Sequence, residues 1–303
     1  MRKPAAALIP LLSLACARCA QTAPPSEPEV RKAVERLLGD QAAAVERGDL
    51  DAWAAPLDRD VFLFGSDPTE ATFGRDAILA QLKKNAASRM RADVHRTYRS
   101  TARVIGVAAD RRAAWVADEI DYTLAAPDGE KKLHFRMTAL LGYREAEWRI
   151  LAAHYSVPVP HEQAFRDAGA HALKLPTDVG TGVAAGAQPL VDLFRHGIAD
   201  PAASVKWISD RPDVVIFGTA PGERHDGATI KKTLAGARMA AKLMVTGGIR
   251  AGLSPSGGAG WVAGNAVVSI GALEIPMRTL ELYALEGGAW RLVCAHSSIG
   301  VPD

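Results

Sequence analysis

One stretch of this chain is written twice, and the repetition restricts its fold more than any other feature. Trp148, Arg149, Ala153, His154, Ser156, Val159 and Pro160 recur as Trp290, Arg291, Ala295, His296, Ser298, Val301 and Pro302, seven identities in thirteen aligned positions. Upstream, Phe64, Gly65, Pro68, Glu70 and Gly74 recur as Phe217, Gly218, Pro221, Glu223 and Gly227, and Trp115-Val116-Ala117 recurs as Trp261-Val262-Ala263. Three blocks in the same order mean a duplicated unit. The 303 residues are too many for one ordinary core and suit a pair of domains of about 120–130 residues each. The boundaries fall at 29–160 and 188–303, with 161–187, which holds Gly169, Gly180, Gly182 and Gly186, as the linker.

Each copy reads in the same order. Val30, Val34, Leu37 and Leu38 have helical spacing in a segment that stops at Gly48, and Leu190, Val191, Phe194 and Ile198 do the same in the second copy. A short helix follows at 50–57 or 202–209, then a strand at 61–64 or 214–217, then a turn and a helix after Gly74 or Gly227. The remainder is strand, at about 92–107, 112–124, 131–143 and 147–157 in the first copy, with Pro127-Asp128-Gly129-Glu130 as a turn. The fold class is α+β, with N-terminal helices packed on a curved antiparallel sheet.

That order, together with Gly48-Asp49-Leu50-Asp51-Ala52-Trp53, the run from Asp60 to Pro68 and the terminal Trp-Arg-Ile-x-x-x-His-x-Ser-x-Pro stretch, resembles the SnoaL-like domains of the nuclear transport factor 2-like (NTF2-like) superfamily. The resemblance covers both copies and implies two tandem cone domains, each with an internal pocket. Members of that superfamily isomerise steroids, close polyketide rings, hydrolyse or dehydrate, or bind ligands and partners, so fold alone does not give activity. The superfamily's dimers also imply two copies packed as an intramolecular pseudo-dimer, or a homodimer.

The N-terminus reads as an export signal. Arg2 and Lys3 precede a short apolar stretch at 5–15, and Leu12-Ser13-Leu14-Ala15-Cys16 resembles a lipobox with Ser13 where leucine usually stands. Residues 1–20 are then a signal peptide or lipoprotein signal, cleaved before a lipidated Cys16 or by ordinary signal peptidase near Ala17 or Ala20, and 21–28 are a tether. The expected location is the periplasm or cell envelope, lipid-anchored or free, and otherwise secreted. Only Cys294 lies in the folded body, which leaves no disulfide framework. Thirty-six basic and thirty-four acidic residues are interspersed, and aromatic residues are few, so neither a nucleic-acid surface nor a base-stacking platform is built.

Alternation along a regular last strand places Trp148, Ala152, His154 and Ser156 on one face, with Trp290, Cys294, His296 and Ser298 as counterparts. His154 is a candidate proton carrier in a pocket, the alternative being a histidine satisfied by hydrogen bonds at the cone mouth. Trp115 shares its face with Glu119 and Asp121, whereas Asp118 and Tyr122 share the other. With Trp115 as core, Asp121 becomes the pocket acid and general base by the ketosteroid isomerase logic of a carboxylate in apolar surroundings. Asp118, Glu119 and Asp121 meet Gly264, Asn265 and Val267 in the second copy, which assigns any catalysis to the first. Glu119, Arg136, Trp115, Trp148, Ser156, Trp261, His296 and Ser298 are expected to line the pockets. The turn acids Asp67, Glu70 and Glu223 suit capping. Cys294-x-His296 offers two ligands at most, so no metal is expected, and the glycine-rich stretches lack phosphate-loop spacing, so no cofactor is expected. The leading reading is a binder of a small apolar or amphipathic molecule; the alternatives are an isomerase, cyclase or hydrolase acting in the first copy, or a scaffold for an envelope protein.

Overall fold

The computed structural model describes residues 24–89, 94–236 and 241–300; the expected export signal and the expected anchor at Cys16 lie outside the described residues. The first half runs α1 (Glu27–Arg47), α2 (Leu50–Ala54), β1 (Leu57–Phe64), β2 (Ala71–Phe73), α3 (Arg75–Arg89), β3 (His95–Ser100), β4 (Val104–Val107), β5 (Ala113–Ala126), β6 (Gly129–Arg144) and β7 (Glu147–Ser156). α4 (His161–Gly169) and β8 (Gly182–Val183) lead into α5 (Gln188–Ala199), α6 (Pro201–Ser204), β9 (Val215–Phe217), β10 (Arg224–Asp226), α7 (Gly227–Gly236), β11 (Lys242–Leu253), β12 (Ala259–Ile270), β13 (Leu273–Glu286) and β14 (Ala289–Ser298). α1 begins where the Glu29 carboxylate accepts from the Ser26 backbone N–H at 2.7 Å, and ends at Gly48, whose φ of 70° few other residues tolerate.

The sheets repeat one another. Their strand orders are β2-β1-β7-β6-β5-β3, with β4 also on β5, and β10-β9-β14-β13-β12-β11-β8. The expected antiparallel sheet is in fact mixed, because the strand after the opening helices returns beside the last one and runs parallel to it, β1 on β7 and β9 on β14. The expected linker is also more structured than its glycines indicate. Ala164 and Ala168 of α4 enter the second core, and β8 pairs in parallel with β11.

Both last strands carry a β-bulge. Leu140 and Leu141 face Ala152 and Ile150, leaving Leu151 extra, and Leu282 and Tyr283 face Cys294 and Leu292, leaving Val293 extra. An extra residue shifts the two-residue alternation, so side chains before and after it change faces.

One face of the first sheet, with Val116, Ile120, Met137, Ala139, Leu141 and Ile150, packs under Val30, Val34, Leu38 and Ile78 of the helices. The centre of its other face does not meet water. Phe62, Phe64, Trp115, Ala117, Leu140 and Ala152 join Phe217, Trp261, Ala263, Leu280, Leu282 and Cys294 of the second half in one buried cluster. Phe62 stacks on Trp261 at 5.4 Å, and the Trp115 indole N–H donates to the Asp213 carbonyl at 3.1 Å. Each tryptophan lies over a glycine of the neighbouring strand, Gly106 opposite Trp115 and Gly252 opposite Trp261, where a Cβ would stand 1.9 and 2.6 Å from the ring.

Candidate functional site

Most of the residues marked out by the sequence converge, but between the sheets and not inside a cone. His154 and His296 are fully buried and stacked face to face with ring centres 3.9 Å apart. Each reaches the serine of the other half: His154 Nε2 is hydrogen-bonded to Ser298 Oγ at 2.8 Å, and His296 Nε2 to Ser156 Oγ at 2.7 Å. The arginines cross as well. Arg136 donates to the Gly218 carbonyl at 3.1 Å and lies over Phe217, while Arg278 donates to the Asp67 carbonyl at 2.6 Å and lies over Phe64. Glu119 faces Arg224 of the second half at 3.0 Å.

The symmetry breaks at His154 Nδ1. Thr138 gives His296 Nδ1 a partner at 3.2 Å, but the second half has Leu280 where the first has Thr138, and His154 Nδ1 has none. A bare acceptor costs less than a bare N–H, so His154 carries its proton on Nε2. Burial holds both imidazoles well below their usual pKa, reinforced by His296 and Arg278 at His154 and by Arg136 and Arg278 at His296. Burial lowers the guanidinium of Arg136 and brings that of Arg278 down to about 10. This arrangement is a polar core in which His154, His296, Ser156, Ser298, Arg136, Trp115, Trp261 and Glu119 hold two sheets together. The inference that a core Trp115 puts Asp121 in the pocket fails because that tryptophan is core to the sheet contact. Asp121 is half-exposed, 3.0 Å from His134 and 3.3 Å from Arg99, and these hold its carboxyl below the usual range, His134 foremost. Trp148 parts from His154 because the bulge intervenes, and it packs on the helix side with Tyr143 at 5.4 Å.

The helix-facing side of the first sheet holds a second set. Asp118, fully buried, accepts from Ser100 Oγ at 2.7 Å and from Arg103 at 2.7–2.8 Å. Tyr98 and Tyr155 lie beside this pair, with Trp53 of α2 6.5 Å from the Tyr155 ring and Phe135 6.0 Å from Tyr122. Gln41 fixes α2 by donating to the Trp53 carbonyl at 2.8 Å. Neither Tyr98 nor Tyr155 has a partner for its hydroxyl among the described residues, and burial, followed by nearby negative groups, pushes both phenols well up. Neutral phenols donate hydrogen bonds, so the face offers two donors and several aromatic rings to an oxygen-bearing ligand. Asp118 was visible in the sequence on the correct parity; Tyr98, Tyr155 and Trp53 were missed, although Tyr98 pairs directly with Tyr122 across β3 and β5.

The second half has its own half-buried carboxyl, also missed. Glu281 faces the helix side of β13, accepts from the Tyr283 hydroxyl, and is raised by burial to about 7. Phe194 of α5 fills the adjoining space, against Gly264, where Asp118 stands in the first half. Elsewhere, Asp67 accepts from the Thr69 N–H at 2.7 Å and Glu223 from the Ala220 N–H at 2.7 Å, so the turn acids cap their turns. Cys294 is buried, and burial raises its thiol. No group of three metal-ligating side chains occurs among the described residues.

Comparison with known families matches residues 34–160 to the model of a SnoaL-like domain. Among solved structures, an NTF2-like protein of unknown function from Pseudomonas putida KT2440 is similar at 17% identity over 45% of this chain and 92% of that one, TM-score 0.39. A putative scytalone dehydratase from Novosphingobium aromaticivorans is similar at 14% identity over 43% and 84%, TM-score 0.37. An NTF-2 like protein from Shewanella oneidensis MR-1 shares 24% identity over 42% and 98%, TM-score 0.33. Comparison with curated protein sequences gives no match.

Proposed function

We propose that the chain, whose residues 34–160 match the model of a SnoaL-like domain, binds a small amphipathic, oxygen-bearing aromatic molecule on the helix-facing side of its first sheet. One observation carries this reading: two phenol hydroxyls, Tyr98 and Tyr155, have no partner among the described residues and lie beside the buried Asp118–Arg103 pair and the Trp53 ring. A phenol hydroxyl with no protein partner donates to a ligand oxygen without first breaking an internal hydrogen bond. Titration of 2-naphthol into the full chain tests it. Wild type binds saturably, and Tyr98→Phe and Tyr155→Phe each weaken binding by about 2–12-fold, equivalent to a hydrogen bond of about 0.5–1.5 kcal/mol. Equal affinity in both variants refutes the reading.

A catalytic reading has one observation in its favour, and it lies in the second half. Asp118 is held by Arg103 and Ser100, and Asp121 sits among exposed charges, whereas Glu281 is half-buried with Tyr283 as its donor, and burial raises its carboxyl to about 7. General-base work then belongs to Glu281, and Glu281→Gln abolishes any proton-transfer activity while Asp121→Asn keeps it. The charged start, apolar stretch and Cys16 support export to the cell envelope with a lipid anchor. Fatty-acid labelling of wild type and not of Cys16→Ser is the corresponding test; label on neither places the chain free in the periplasm or outside the cell.

A further inference from the structure

Where the two halves meet, strands β1, β2, β6 and β7 of the first and β8 and β11 of the second enclose an open cleft of about 630 Å³. Its walls include Phe73, Leu151, Val183 and Trp261, and two of these, Phe73 at 43% and Val183 at 36%, are among the exposed large hydrophobic side chains. The charges in the cleft do not cancel locally. Asp58 accepts from Arg144 at 3.5 Å and from the Asp60 N–H at 3.0 Å, and Asp60 is paired with Arg59 at 2.9 Å. Arg250 has no such partner. Its Nε donates to the Val179 carbonyl at 2.5 Å and its guanidinium lies 4.6 Å over the Phe73 ring, but its terminal nitrogens meet no acceptor and no carboxylate among the described residues. Gly182 lets β8 run close alongside, since a Cβ there would stand 3.0 Å from Nη1.

We propose that this cleft is a second binding site, distinct from the first cone, and that it takes an aromatic carboxylate, with the carboxylate on the free edge of Arg250 and the ring against Phe73 and Leu151. A guanidinium held at Nε still presents paired N–H groups in the fork that suits a planar carboxylate, and apolar walls beside it accept the ring. A neutral ligand gains only the walls. An inorganic anion gains only the charge.

Isothermal titration of the full chain with 2-naphthoate and with its methyl ester tests the site. The acid binds saturably and the ester about tenfold more weakly or not at all, the usual size of a charge-assisted contact. Arg250→Gln lowers affinity for the acid about tenfold and brings it to that of the ester. Phe73→Ala, a change at an exposed ring that tests the site should Arg250→Gln disturb β8, lowers it several-fold. Tyr155→Phe leaves it unchanged, which separates this site from the cone. Equal binding of acid and ester, no saturable heat, unchanged affinity in Phe73→Ala, or loss in Tyr155→Phe would each overturn the proposal.

Discussion

Stability against pH exposes the buried polar core directly, because two kinds of group pull in opposite directions. His154 and His296 are stacked at 3.9 Å and held well below their ordinary 6.5, so the folded chain keeps them neutral. Their contribution is fully present above the unfolded value and is lost as pH falls through it, since the unfolded chain then binds two protons that the folded one refuses. Each pH unit below about 6.5 costs about 1.4 kcal/mol per histidine while the folded imidazole stays neutral, so by pH 5 the pair removes at most about 4 kcal/mol. Glu281 works the other way. Its folded value of about 7 exceeds the ordinary 4.5, so it destabilises the fold as pH rises from 4.5 to 7 and returns about 1.4 kcal/mol per unit as pH falls. From pH 7 to 5 it restores about 2–3 kcal/mol, and the net loss in wild type is about 1–2 kcal/mol. Urea midpoints between pH 5 and 7.5 read this balance. Glu281→Gln should steepen the acid loss to about 4 kcal/mol, whereas a chain with both histidines replaced by Gln should gain stability towards pH 5. An unchanged slope in Glu281→Gln, or a wild-type slope that the double histidine change leaves intact, refutes the assignment of these groups.

Thr138→Val removes the partner of His296 Nδ1 and should lower stability by about 1–2 kcal/mol in urea unfolding, while the equivalent position, Leu280, has no such bond to lose. Gly106→Ala places a Cβ 1.9 Å from the Trp115 ring and should cost about 1–3 kcal/mol by thermal or urea unfolding. A chain nicked by protease between α4 and β8 should still elute from a sizing column as one particle, because the sheet faces bury Phe62, Trp115, Trp261 and Leu280 against each other. Separate elution of the fragments would mean that the contact is weaker than its apolar content implies.

How far the sequence could be read follows from the bulges. The repeat, the element order and the cone class are legible because Trp148 to Pro160 and Trp290 to Pro302 are nearly the same words, and because helical spacing at Val30, Val34 and Leu38 is unambiguous. The pairing of His154 with Ser156 and of His296 with Ser298 on common faces is legible too, since both pairs lie after the bulge. Which face that is was not. A tryptophan buried against a second sheet leaves the same pattern as one buried under a helix, so Trp115 sent Asp121 to the wrong environment. Leu151 and Val293 add their extra residue without a glycine or proline to announce it, and so Trp148 was grouped with His154. Glu281 went unremarked because its neighbours Leu280 and Leu282 belong to the sheet contact, and a carboxylate between them reads as a solvent-facing residue.

The position of a bound ligand relative to the two faces of the first sheet tests the central claim most directly. Intermolecular nuclear Overhauser effects between 2-naphthol and a chain labelled on its tyrosine and tryptophan rings report that position. The account predicts contacts to Tyr98, Tyr155 and Trp53 and none to Trp115, which is sealed between the sheets. Contacts to Trp115 with none to Tyr98 and Tyr155 would contradict it, and would place the ligand in the seam that the two histidines now hold shut.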